Sequence, residues 1–126
     1  RKCLMQVGST YSAIVGAVIA QTRDEEAVSQ AKLAEAVGIG QPAWSRIEKG
    51  ESALTIDQLA RASSALGKHR SEILSIADST VLKMEEEALN ISYDKPQRKS
   101  AASNAGLLLL GGAALGALIY AAKKSK

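Results

Sequence analysis

Residues 29–52, SQAKLAEAVGIGQPAWSRIEKGES, decide how the rest of the chain is read. Ser29 is a favoured N-cap residue, and Leu33, Ala34 and Val37 follow it at the three- and four-residue spacing of one helix face. A helix is predicted over 30–37, ended by the turn Gly38-Ile39-Gly40. There Gly38 takes the positive φ that stops a helix and Ile39 points back into the core. A second helix follows over 41–48, with Lys49-Gly50 closing it. Two short helices joined by three residues cross steeply when the turn holds a glycine and an inward apolar residue.

Outward from this pair the pattern stays helical. Ile14, Val15, Val18 and Ile19 share a face of a helix over 11–23. Thr55 with Gln58 forms a capping-box pair opening a fourth helix. Ile56, Leu59, Ala60, Ser63 and Leu66 are its expected inner face, and Gly67 stops it. A fifth helix starts near Arg70 and is expected to run to about Ile91. Leu74, Ala77, Val81, Met84, Ala88 and Ile91 make a short heptad seam along it, flanked by Glu85, Glu86 and Glu87. Two readings of the seam stand: closure of the domain's own core followed by a solvated spacer, or a homodimer helix pair.

Composition supports an all-α fold. The 126 residues include three Tyr, one Trp and no Phe, and Ala and Leu dominate. A single cysteine, Cys3, excludes an internal disulfide and suits a reducing cytoplasm. The single histidine, His69, reads as a solvated cap residue, so no metal site is expected. No phosphate loop, Gly-x-Gly-x-x-Gly run or nucleophile elbow occurs, and neither an enzyme nor a cofactor is expected. The opening RKCLMQVGSTYSAIVGAVIA is basic and then apolar, but Gln6, Gly8, Ser9, Thr10 and Ser12 interrupt it. It reads as an arm and first helix rather than a signal peptide. The net charge of +3 comes from the ends: residues 11–75 hold seven basic and eight acidic side chains. Charge alone therefore gives little support to nucleic-acid binding.

The run SQxxLAxxVGIGQxxxSRIEKG resembles the Cro/Xre family of phage-repressor helix-turn-helix domains, over roughly residues 11–75. The resemblance implies a five-helix domain whose third helix lies in the major groove of double-stranded DNA. Carried over by position, Gln41 is the leading base reader, its amide suited to adenine, followed by Ser45 and by Arg46, suited to guanine. Gln30 and Lys49 fall where phosphate contacts are implied. Arg23 and Glu48 match a structural ion pair between the first and third helices. Three positions depart from the family pattern. Gly40 replaces the usual Ser or Thr cap, Pro42 stands where a base-reading side chain is common, and Trp44 replaces a smaller aliphatic and reads as core filling.

Residues 105–122 contain eighteen uncharged residues in succession, about 27 Å of helix, enough for a bilayer core. Tyr120 and Lys123, Lys124 and Lys126 stand where an interfacial anchor and a charged stop would. Gly112 and Gly116 form a Gly-x-x-x-Gly pair suited to packing between membrane helices.

The expected organisation is an arm (1–10), a helix-turn-helix domain (11–75), a helical extension for which dimerisation is one of the two readings (76–92), a basic linker (93–104), a transmembrane helix (105–122) and a basic tail (123–126). The function this implies is a sequence-specific DNA-binding regulator. It would be dimeric and held single-pass in a bacterial inner membrane with its N-terminal domain in the cytoplasm. Two alternatives remain. One is a membrane-anchored scaffold of the RodZ type, binding a cytoplasmic protein through the same fold. The other is a soluble repressor or antitoxin-like protein with an apolar partner-binding tail.

Overall fold

The computed structural model describes residues 6–93, 107–109 and 112–124. Cys3 and the start of the arm, nearly all of the expected linker, and the last two residues lie outside them. In chain order the elements are β1 (Gln6–Thr10), α1 (Tyr11–Glu25), α2 (Gln30–Val37), α3 (Gln41–Glu48), α4 (Ile56–Ala65), α5 (Arg70–Glu86), β2 (Asn90–Ser92), β3 (Leu107–Leu109) and α6 (Gly112–Lys124).

The helix ends follow local chemistry. The Ser29 hydroxyl accepts the Lys32 N–H, and the Thr55 hydroxyl accepts from Gln58 while the Gln58 side chain accepts the Thr55 N–H. Gly38 sits at φ 95°, and its N–H together with that of Ile39 returns to the last turn of α2. Pro42 falls in the first turn of α3, where the missing N–H costs nothing. Ile56 departs from expectation. It is the first residue of α4 and points outward, 79% exposed, while Leu59, Ala62, Ser63 and Leu66 face inward.

Helix α1 runs through the centre. Ala13, Ile14, Val15, Gly16, Val18, Ile19 and Thr22 are all buried, more than one face can supply, because α3, α5 and α6 all pack against it. The crossing with α3 is close: a Cβ on Gly16 would collide with the carbonyl oxygen of Ile47. Trp44, Leu33, Ile73, Met84 and Ile119 complete the core and are almost wholly removed from water.

The fold is mostly helical, and three features depart from expectation. First, β1 lies at the centre of a parallel sheet, order β2-β1-β3, with Ser9 opposite Ile91 and Val7 opposite Leu108. The strand leads straight into α1, where Thr10 becomes the N-cap and its hydroxyl accepts the Ala13 N–H. Second, the fifth helix stops at Glu86 rather than near Ile91. Ala88 takes a φ of 58° and Leu89 N–H bonds back to the Met84 carbonyl, after which Ile91 enters β2. Of the seam, Ala77, Val81 and Met84 are buried inside this chain's own core.

Third, the stretch expected to be one membrane-spanning helix is divided. Residues 107–109 form β3 and the helix begins only at Gly112. No helix among the described residues is long and apolar enough to cross a membrane. Helix α6 packs instead on α1 and α5, burying Leu115, Ile119 and Ala122. Gly116, expected at a membrane-helix contact, offers its carbonyl to Gln21 Nε2 of α1 at 3.3 Å. Lys123, expected as the charged stop, pairs with Glu25 at 2.6 Å.

Candidate nucleic-acid interface

Helix α3 is too short to be held by its own backbone hydrogen bonds, so its position depends on what it buries. Trp44 and Ile47 fix its inner side. Gln41, Pro42, Ser45, Arg46 and Lys49 consequently lie along its opposite side. Gln41, Pro42 and Lys49 are exposed, and Ser45 and Arg46 are half-buried. Four of these five side chains can donate hydrogen bonds or carry positive charge. Pro42, near the middle of the stripe, offers only apolar surface.

Behind the stripe runs a connected polar network. Arg23 of α1 grips Glu48 of α3 through two bonds, Nε to Oε2 at 2.9 Å and Nη2 to Oε1 at 3.1 Å. Its Nη1 donates to the Val28 carbonyl at 2.9 Å, which ties down the connector between α1 and α2. Glu48 also accepts from Gln30 Nε2 at 2.8 Å and from the Trp44 indole N–H at 2.6 Å. The ion pair is well shielded, with side-chain exposures of 16% for Arg23 and 5% for Glu48. All four donors reach one carboxylate, so Glu48 joins α1, α2 and α3 and its charge is fully answered.

The network reaches the surface through Gln30. Its Oε1 accepts from Gln41 Nε2 at 2.5 Å, so the first turn of α2 is joined to the first residue of α3. Gln41 is thereby held in place, while its own Oε1 and second amide hydrogen point away from that bond. The chain Gln41–Gln30–Glu48–Arg23 links the exposed stripe to the buried side of α1.

The structure thus brings Gln30, Gln41, Arg23 and Glu48 into one network and sets Ser45, Arg46 and Lys49 beside it. Gly112 and Gly116 lie on α6, away from this site. Two contributors were missed from sequence. Trp44 is core filling but also a donor to Glu48, a link that its i, i+4 spacing could have suggested. Arg61 of α4 donates to the Val37 carbonyl at 3.1 Å, answering an orphan group at the end of α2 beside the turn. No local signal in α4 points to that bond.

Residues 14–75 match the sequence model of a family described as "Helix-turn-helix domain". This part of the chain is similar to that family over 62 residues. Two solved structures resemble the chain, both of the clp gene regulator ClgR from Corynebacterium glutamicum. One has a TM-score of 0.58 at 25% identity, covering 62% of this chain and 84% of that one. The other has a TM-score of 0.53 at 26% identity, covering 56% and 91%. No curated protein matches the sequence. The helix-turn-helix is formed by α2 and α3; α1 packs on α3, α4 packs on α2, and α5 lies against α1 and α4.

Proposed function

We propose that the chain is a sequence-specific DNA-binding transcriptional regulator of the Cro/Xre type, reading double-stranded DNA with the outward stripe of α3. The observation that carries this is the bond between Gln41 and Gln30. It fixes a base-reading amide while leaving one acceptor and one donor free, the pair an adenine edge requires. Arg46 supplies a fork for guanine, Ser45 a shorter contact, and Lys49 and Gln30 phosphate contacts. The likeness to a gene regulator supports the same reading.

A head with a nearly balanced charge gains little from phosphate attraction alone, so the proposal includes two copies acting on a two-fold site. The domain works where DNA is, on the cytoplasmic side. Pro42 at the middle of the stripe is the feature that favours the rival reading, a surface for a cytoplasmic protein.

Selection of the full-length chain against random duplexes tests the proposal. Enrichment of one palindromic sequence is expected, and the Gln41→Ala, Arg46→Ala double variant should lose it. At about 1–3 kcal/mol per bidentate base contact, the variant's specific affinity should fall at least tenfold with its melting curve unchanged. Failure of the wild type to enrich any sequence, or an unchanged preference in the variant, would sink the reading and favour a protein-contact surface.

A further inference from the structure

Surface helices that pack by one face carry charged or polar residues on the other. Helix α6 does not. Its inner positions are Leu115, Ile119 and Ala122, while Ala117, Tyr120 and Ala121 face water, with Tyr120 58% exposed. No charged residue occurs between positions 105 and 122, so nothing in this run marks a side that prefers solvent.

The docked position is also imperfect. Besides apolar contact, α6 is tied to α1 by the 3.3 Å bond from Gln21 Nε2 to the Gly116 carbonyl and by the Lys123–Glu25 pair at the rim. The Oε1 of Gln21, on the amide that reaches the Gly116 carbonyl, is buried without a hydrogen-bond partner, a cost carried in the docked state. A rim pair of this kind contributes little.

We propose that α6 exchanges between its docked site on α1 and α5 and an anionic lipid bilayer. Docking covers one side of the helix, whereas lipid covers all of it. The exchange therefore recovers the burial of Leu115, Ile119 and Ala122 and adds that of Ala117, Tyr120 and Ala121. Gln21 regains water. Helix α6 has 13 residues, about 20 Å, so it enters the bilayer without having to cross it. Lys123 leaves Glu25 and, with Lys124 and Lys126, meets acidic headgroups.

The test is flotation of the full-length chain with vesicles of phosphatidylethanolamine and phosphatidylglycerol, followed by a high-salt wash. The wild type should float and stay bound through the wash. Ala117→Asp places a carboxylate where the docked helix meets water, so the melting curve should hold, but vesicle capture should fall at least about tenfold. Hydrogen exchange on the wild type supplies a readout independent of any variant. Vesicles should slow exchange in α6 and speed it in α1 and α5, the elements it leaves. A wild type that does not float, or that washes off in salt, overturns the proposal. So does an Ala117→Asp variant that floats equally well, or protection of α6 with α1 and α5 unchanged.

Discussion

Replacing Glu48 by Ala removes the acceptor for four hydrogen bonds, two from Arg23 and one each from Gln30 and Trp44. The guanidinium keeps only its bond to Val28 and becomes a poorly answered charge at 16% exposure. Breaking a buried pair by removing one partner costs about 3–5 kcal/mol, because the other charge stays desolvated. That is a large share of the roughly 5–15 kcal/mol a domain has to lose. At about 4 °C per kcal/mol for a chain of this size, the melting temperature of Glu48→Ala should fall by about 12–20 °C. Urea unfolding of the wild type, Glu48→Ala, Arg23→Ala and the double variant measures it. The double variant should be no worse than Glu48→Ala, since it removes the stranded charge along with the carboxylate. Released from Glu48, Gln30 should also hold Gln41 less firmly, so specific DNA affinity should drop even where the domain is still folded. A loss below about 1 kcal/mol in Glu48→Ala would refute the reasoning, showing that water answers Arg23 as well as the carboxylate does.

Two further outcomes follow from the same structure. Ala27 and Ala88 hold positive φ angles of 57° and 58° at the ends of α1 and α5, a conformation that costs a side-chain-bearing residue about 1 kcal/mol. Ala27→Gly and Ala88→Gly should each raise the urea midpoint, with gains that add. The Tyr11 hydroxyl donates to Asp78 at 2.7 Å, and burial, that bond and the Asp78 charge hold its pKa above the usual tyrosine range. Folding therefore binds this proton more tightly, so its contribution is complete below the unfolded value of about 10 and declines as pH rises past it. Tyr11→Phe should show a shallower loss of stability above that pH than the wild type.

The sequence by itself determined the helix-turn-helix. The bounds of α2 and α3 at 30–37 and 41–48 are set by signals within a few residues: the Ser29 cap, the Gly38 stop, and the spacing of Leu33, Val37, Trp44 and Ile47. The Arg23–Glu48 pair was legible only through family resemblance, since 25 residues separate its members. How Gln41, Gln30, Glu48 and Trp44 share their hydrogen bonds required the tertiary arrangement, because each bond depends on where three helices meet. The strand β1 carries no alternating pattern and exists because Asn90–Ser92 and Leu107–Leu109 come to lie on either side of it. The same holds for the apolar run from 105 to 122. Hydrophobicity states that such a segment must leave water, but not whether lipid or protein receives it. Only the tertiary structure, by setting α1 and α5 against α6, supplies a protein surface that takes Leu115 and Ile119 out of water.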